Sequence, residues 1–197
     1  MNYLIDLAAT LQKLDVITLD KLQSFITHTQ GTVWIAGNGG SASVAQHWAC
    51  DLSKAAERRV QALGSNLAVM TAWANDVSYE DALAEELKRL AQPGDSVICL
   101  SCSGASKNIW TLLRAAERLG LKWAMVTSDL PPTRTGDPLI VRVPHTHYGI
   151  LEDCFMAIGH WLTEQLRPDA TMPRRVDGAP VLVMPVARKI AIMGDAE

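Results

Sequence analysis

The segment TVWIAGNGGSA at residues 32–42 decides the fold class. Residues 32–36 form a short, continuous apolar run, which is typical of a β-strand buried on both faces of a sheet. Residues 37–42 are mostly glycine and serine, and they lead into a helical pattern that extends to about Ala56. A buried strand, a glycine-rich turn and a helix in this order predict one unit of a parallel α/β sheet.

The same order recurs along the chain. After the helix-breaking pair Pro93-Gly94, residues 95–100 predict a second buried strand and residues 101–106 a second loop of small residues. The loop is followed by a helix that ends near Gly120. The sequence therefore predicts an α/β fold in which helices sandwich a parallel sheet in three layers. The other predicted elements are strands at 122–127 and 139–143, a long helix at 149–166, N-terminal helices at 2–14 and 18–29, and one amphipathic segment at 76–90.

The 197 residues are enough for one well-buried domain, which we expect over residues 1–166. Residues 167–197 are rich in proline and charge and then carry β-type residues interrupted by Pro185, so an interface arm, an edge hairpin and a loose tail all remain open. A net charge of −3 predicts no nucleic-acid partner, and no apolar run is long enough to predict a membrane span. We expect a cytoplasmic protein.

The pattern of the four cysteines is also typical of a cytoplasmic protein. Cys99 and Cys102 have CxxC spacing, but no second pair follows, and Cys99 lies in an apolar strand pattern. Cys50 and Cys154 stand alone in the sequence. For Cys99 and Cys102, buried and reduced thiols of a cytosolic protein are therefore expected rather than a zinc or redox pair.

Both small-residue loops are suited to an anion. Each follows a strand and opens a helix, where free backbone N–H groups and the helix dipole favour negative charge. Neither loop has the Gly-Lys-Ser/Thr of a Walker loop or the GxGxxG of a dinucleotide site. Either loop alone could be a capped turn, but two at the same edge of one sheet favour a phosphate. The polar or glycine candidates are Asn38, Gly39, Gly40, Ser41, Ser101, Ser103 and Ser106.

Two pairs of titratable residues lie on predicted helices. His47 and Asp51 are four residues apart, and Glu152 and His160 are eight apart, so each pair shares a helix face. Two histidines and two carboxylates can bind a divalent metal ion or divide acid and base work. Each pair alone is more typical of an ordinary surface pair or a satisfied histidine. Their joint placement beside the two phosphate loops favours a catalytic site.

The chain resembles the phosphoheptose isomerases of the SIS superfamily over about residues 5–166. The motifs that carry the resemblance are GNGGSA at 37–42, AQHWACDL at 45–52, AND at 74–76, LSCSGAS at 100–106, VPH at 143–145 and the helix from 152 to 160. The resemblance implies a flavodoxin-like sheet and a homotetramer with active sites at subunit interfaces. It also implies conversion of sedoheptulose 7-phosphate to an aldose phosphate.

The resemblance further implies roles for single residues. Zn²⁺ would be bound by His47, Asp51, Glu152 and His160, with Asp51 as base and His160 as acid. Contacts to the phosphorylated sugar would come from Asn38, Gly39, Gly40, Ser41, Asn75, Asp76, Ser101, Cys102, Ser103, Ser106 and Glu152.

Several positions depart from the family pattern. Asp51 stands where the family has glutamate, Glu152 where it has glutamine, Cys102 where it has threonine, Ala55 where it has arginine and Gly149 where it has aspartate. These changes favour a site adapted to a related heptulose or octulose phosphate. The alternative is a non-catalytic SIS module that binds a sugar phosphate or a protein partner, as the DnaA initiator-associating protein does.

Overall fold

The computed structural model describes residues 2–129 and 139–168. Helices and strands alternate through most of these residues, after two helices at the start. The elements are α1 (Tyr3–Gln12), α2 (Val16–His28), β1 (Val33–Gly37), α3 (Gly40–Ala55), β2 (Val60–Ala62), α4 (Leu67–Asp76), α5 (Ala82–Leu90), β3 (Ser96–Ser101), α6 (Lys107–Arg118), β4 (Lys122–Ser128), β5 (Leu139–Val143) and α7 (Tyr148–Leu166).

The five strands form one parallel sheet with the order β2-β1-β3-β4-β5. The chain order reverses between β1 and β3, which is the position where open α/β sheets of this kind bind ligands. Gly37 of β1 pairs with Leu100 of β3, so the two strands end at the same level. Both small-residue loops therefore leave the sheet side by side.

Side chains alternate across the sheet into two hydrophobic cores. Val33 and Ile35 of β1 pack into the core beneath α1, α2, α3 and α7, whereas Trp34 and Ala36 pack into the core beneath α5 and α6. Every residue of β1 and β3 is buried, because helices cover both faces of the sheet. The predicted α/β sandwich with N-terminal helices is confirmed.

One prediction of secondary structure is wrong. The expected amphipathic segment at 76–90 is a helix, α5, that begins only at Ala82, and it is preceded by α4 at Leu67–Asp76. Residues 67–74 of α4 are apolar except for Thr71, so the sequence shows no alternation of polar and apolar positions by which a helix would be recognised. In the structure, helix α4 buries none of its residues. Its start is nevertheless marked, since the Asn66 side chain accepts hydrogen bonds from the amides of Ala68 and Val69. The three-residue edge strand β2 was also missed.

From residue 169 onward, the predicted arm, hairpin or tail lies outside the described residues. The division into a domain at 1–166 and a separate segment at 167–197 therefore stays a prediction.

The four cysteines are free thiols in the structure. Cys99 is fully buried in β3, and burial raises its pKa, which keeps the thiol protonated. Within residues 2–129 and 139–168, no helix combines the length and apolar character needed to cross a bilayer.

Candidate active site

A cavity of about 260 Å³ opens where the β1–α3 and β3–α6 loops meet. It lies beyond the carboxyl ends of the strands, at the starts of α3 and α6. Two residues of α7 complete its wall. The lining residues are Asn38, Gly39, Gly40, Ser41, Leu100, Ser101, Cys102, Ser103, Ser106, Tyr148 and Glu152.

The β1–α3 loop requires glycine at two positions, one because of its backbone conformation and one because of a close contact. Gly39 has a φ of +55°, a conformation that side chains disfavour, and it caps α3 without a side chain of its own. A Cβ on Gly40 would lie 2.2 Å from Oε2 of Glu152. No side chain among the described residues caps α3, and the amides of Ala42 and Ser43 already donate to the Gly39 carbonyl. The amides of Gly40 and Ser41 are therefore the ones that could donate to a ligand.

The second loop presents hydroxyl groups. Ser101 is buried at the end of β3, and the Ser103 hydroxyl accepts a hydrogen bond from the amide of Ala105 at 3.2 Å. Ser106 is the N-cap residue of α6, but its side chain makes no capping hydrogen bond. A Cβ on Gly104, where φ is +62°, would lie 2.8 Å from Oγ1 of Thr127. The loop is therefore held tightly against β4 while its hydroxyls line the cavity.

Among the described residues that line this cavity, Glu152 is the one that carries a charge. The Ser41 hydroxyl donates to Oε1 of Glu152 at 3.2 Å, and the Cys102 thiol lies 3.6 Å from the Ser41 hydroxyl. Burial raises the pKa of Cys102, so this thiol is neutral. An anion in the cavity would thus be bound by amides and hydroxyls, since the described lining supplies no cation.

A second cluster lies between α3 and α7. Nε2 of His47 is 3.0 Å from Nε2 of His160, and Oδ2 of Asp51 is 3.2 Å and 3.8 Å from these two nitrogens. The two imidazoles are about half exposed, at 43% and 51%, whereas the Asp51 side chain is only 12% exposed. The Asp51 carboxylate is therefore shielded from solvent, whereas the two imidazoles are accessible.

Close packing of the two helices places this cluster. The indole of Trp48 is fully buried, and its Nε1 donates to the carbonyl of Phe155 at 2.9 Å. A Cβ on Gly159 would lie 2.0 Å from the same Nε1, so the indole occupies the space above this glycine. Trp48 follows His47 and Gly159 precedes His160, so this contact sets the register that brings the histidines together.

The donor set of the cluster fits a divalent ion. Two imidazole nitrogens and a carboxylate oxygen are ligands that Zn²⁺ favours, and the three atoms lie within 4.8 Å of one another. A tetrahedral Zn²⁺ with ordinary bond lengths places neighbouring donors about 3.3 Å apart. The observed separations of 3.0, 3.2 and 3.8 Å lie on both sides of that value. Three protein ligands also leave a position for substrate or water.

The structure does not bring Glu152 to this cluster. Glu152 precedes His160 by eight residues, which is about 12 Å along a helix axis, and its carboxylate lies beside Gly40 and Ser41 instead. A helical side chain leans toward the N-terminus of its helix, so Glu152 points toward the loops. It belongs to the cavity, not to the group that could hold a metal ion.

Asn75 and Asp76 also lie apart from the cavity lining. They end α4, where the Asn75 side-chain amide donates to Oδ1 of Asp76 at 2.9 Å, and both are exposed.

His145 and His147 precede α7, and Nδ1 of His145 accepts from the backbone amide of His147 at 2.9 Å. These two imidazoles lie outside both the cavity lining and the metal-capable group.

Four residues of this region were missed by reasoning from sequence. Tyr148 lines the cavity, Trp48 sets the helix register, and Asn108 and Tyr79 contact Asn38. Trp48 lies within the recognised motif at 45–52, and Tyr148 lies three residues after the motif at 143–145. Neither residue type distinguishes a functional position from an ordinary core or surface position. Asn108, in the first turn of α6, looks like an ordinary helix-start residue.

Comparisons with known proteins agree with this architecture. The family model described as SIS domain matches residues 5–128. The phosphoheptose isomerase of Chlorobaculum parvum is 33% identical over 176 residues, covering 83% of this chain and 84% of that protein. The phosphoheptose isomerase of Thermodesulfovibrio yellowstonii is 34% identical over 145 residues, covering 68% and 70%. The chain therefore belongs to the SIS-domain family and, within it, to the phosphoheptose isomerase group.

A solved structure supports the same fold. Phosphoheptose isomerase from Neisseria gonorrhoeae superposes with a TM-score of 0.75, covering 82% of this chain and 92% of that protein, at 21% sequence identity. At this identity the likeness concerns the fold.

Proposed function

We propose that this phosphosugar isomerase interconverts the ketose and aldose forms of a long-chain sugar phosphate, either sedoheptulose 7-phosphate or a related heptulose or octulose phosphate. The observation that carries the proposal is that one helix pair, α3 and α7, joins the anion-binding cavity to the His47–Asp51–His160 cluster. A site that binds phosphate at one end and carries acid and base groups at the other is suited to isomerisation.

The spacing supports a long substrate. Glu152 in the cavity wall and His160 in the cluster are about 12 Å apart along α7. An extended seven- or eight-carbon chain that is phosphorylated at one end spans a comparable length, whereas a triose phosphate does not. With its phosphoryl group against Ser101, Ser103 and Ser106, such a sugar would direct C1 and C2 toward the cluster.

Isomerisation moves a proton between two adjacent carbons through an enediol. A base takes the C–H proton and an acid protonates the carbonyl oxygen. We assign the base to Asp51, whose carboxylate is sheltered, and the acid to His160, whose imidazole is accessible to substrate. The groups that bind the phosphoryl end hold the reacting carbons in position, which lowers the entropic part of the barrier.

We propose Zn²⁺ as the metal and His47, Asp51 and His160 as its ligands. When bound, the ion supplies positive charge that polarises a carbonyl and stabilises an enediolate. Glu152 stays with the sugar and phosphate contacts in this assignment, together with Asn38, Gly39, Gly40, Ser41, Cys102 and Ser106. Asn75 and Asp76 are proposed contacts that depend on closer approach of the end of α4.

We also propose a cytoplasmic homotetramer with active sites at subunit interfaces. Large apolar side chains at the starts of α1 and α2 support self-association, since Leu4, Ile5, Val16 and Ile17 are 62–73% exposed. The half-exposed imidazoles of the cluster are likewise accessible to a second copy. The catalytic domain would comprise residues 1–166, with residues 167–197 as a separate tail.

The test is incubation of the purified protein with a panel of ketose phosphates in D₂O, followed by NMR. We expect an aldose phosphate to form from a seven- or eight-carbon ketose, with deuterium incorporated at the carbon that receives the proton. A protein that binds these sugars and neither isomerises them nor exchanges the proton would instead be the non-catalytic module.

A further inference from the structure

The two loops of the cavity are connected by a pair of amide side chains. Nδ2 of Asn38 donates to Oδ1 of Asn108 at 2.9 Å, and Nδ2 of Asn108 donates to Oδ1 of Asn38 at 2.7 Å. Asn38 belongs to the β1–α3 loop, and Asn108 belongs to the first turn of α6, 70 residues further along the chain. The Asn108 side chain is buried, at 4% exposure.

The side chain of Asn38 also accepts a hydrogen bond from an exposed tyrosine. The Tyr79 hydroxyl donates to Oδ1 of Asn38 at 3.0 Å. Tyr79 lies between α4 and α5 and is 56% exposed, so this polar contact is made by a mostly solvated side chain. Oδ1 of Asn38 therefore accepts from two donors that belong to two other segments of the chain.

These three hydrogen bonds fix the orientation of Asn38. The amide nitrogen of asparagine has two hydrogens, and Asn108 takes one of them. Because both acceptor positions of Oδ1 are used, the amide cannot rotate without losing hydrogen bonds. Asn38 lines the cavity, and the bond to Asn108 is the one hydrogen bond that Nδ2 donates within the described residues, so its second N–H could be donated to a ligand. Asn108 itself is not among the lining residues and acts only through Asn38.

We propose that Asn108 is a positioning residue for phosphoryl binding: it fixes both the distance between the two anion-binding loops and the direction of the Asn38 donor, and Tyr79 reinforces it. An ordinary helix-start asparagine bonds to nearby backbone, whereas the Asn108 side chain bonds to the opposite loop. The inference rests on the proposed function, because it assumes that the cavity binds a phosphoryl group.

The experiment compares three variants with the wild type. Asn108→Leu has nearly the same size but cannot form hydrogen bonds, and Tyr79→Phe removes a single hydroxyl at an exposed position. Thr111→Val is the control, because Thr111 lies on the same helix and donates to Glu80, next to Tyr79. Its other hydrogen bond among the described residues is to Arg114 on the same helix, not to either loop. Binding of inorganic phosphate is followed by ³¹P NMR, and KM and kcat are measured with the ketose phosphate identified in the panel.

We expect Asn108→Leu to weaken phosphate binding and raise KM by about tenfold or more, as loss of an oriented hydrogen bond predicts, with kcat within about twofold. Tyr79→Phe should change both in the same direction by about threefold, and Thr111→Val should change neither.

Equal phosphate affinity in wild type, Asn108→Leu and Tyr79→Phe would overturn the positioning role. A fall in kcat at unchanged KM would also overturn it. If Asn108→Leu does not fold, Tyr79→Phe decides alone, since its ring is exposed. Failure of the wild type itself to bind phosphate would contradict the proposed function, and this outcome is distinguished from the others by the wild-type titration.

Discussion

The cavity and the His47–Asp51–His160 cluster are built in different ways. The cavity consists of backbone and short side chains at strand ends, and its shape depends on glycines that permit close approach and positive φ. The cluster consists of long functional side chains on regular helices, and its geometry depends on how α3 packs against α7. Phosphate binding should therefore respond to changes in loop conformation, and acid–base chemistry to changes in helix packing.

The largest effect should follow removal of Asp51, the proposed base. Asp51→Asn keeps the size of the side chain but cannot accept a proton, so we expect kcat to fall about 10²- to 10⁴-fold. Phosphate affinity measured by ³¹P NMR should stay within about twofold, because Asp51 lies outside the cavity lining. Retention of full turnover would contradict the assignment of the base.

The next largest effect should come from the contact that aligns the helices. Gly159→Ala places a methyl group where the buried Trp48 indole lies, and overpacking of this kind costs about 1–3 kcal/mol of unfolding free energy. We expect weaker Co²⁺ binding, followed by the visible spectrum of the metal, with little change in phosphate affinity. Gln165→Ala, an exposed change on the same helix, is the control and should alter neither. Unchanged Co²⁺ affinity in Gly159→Ala would separate the cluster from this packing contact.

Substitutions of two glycines should perturb the cavity and leave the metal-binding cluster unchanged. Gly40 lines the cavity, so the added methyl group of Gly40→Ala should narrow it and weaken phosphate binding by about tenfold. The same methyl group should displace the Glu152 carboxylate, which is the end of a flexible side chain. Gly39→Ala meets no neighbouring atom within 4 Å but keeps the positive φ, so it should mainly lower stability, by about 1–2 kcal/mol. Thermal melting and phosphate titration distinguish the two. Co²⁺ binding should be normal in both variants, and a loss of it would show that cavity and cluster are not independent.

The smallest effect should come from the charge in the cavity. Glu152→Gln keeps an oxygen that can accept from the Ser41 hydroxyl but removes the carboxylate that repels a phosphate. We expect inorganic phosphate to bind about two- to fivefold more tightly, as a partly screened like charge predicts. Weaker Co²⁺ binding in the same variant would return Glu152 to the metal ligands, in conflict with its place beside Gly40.

Much of the fold follows from local sequence. The strands β1 and β3 are continuous apolar runs, and each ends in glycine and serine, so their character and their loops could be predicted. Helix α4 could not be predicted in this way, because its first eight residues are apolar except for Thr71 and so carry no periodic signal. The short edge strand β2 has only Val60 buried, which is too little to distinguish it from a loop.

The candidate site was predictable in its parts but not in its grouping. The spacing of His47 and Asp51 determines that they share a helix face, whereas the meeting of either with His160 depends on the register of two helices over a hundred residues apart. That register comes from a tryptophan against a glycine, a contact with no local signature. The same limit explains Glu152, which the family pattern assigned to the metal and the helix geometry places at the loops.

The strand order determines which helices should be stabilised when a ligand occupies the cavity. Strands β1 and β3 are neighbours, but α3 and α6, which follow them, lie on opposite faces of the sheet and belong to separate hydrophobic cores. A phosphoryl group bound between the two loops, as proposed, would contact the first turns of both helices at once. Occupancy should therefore slow amide hydrogen exchange on both sides of the sheet together, although the two helices share little packing of their own.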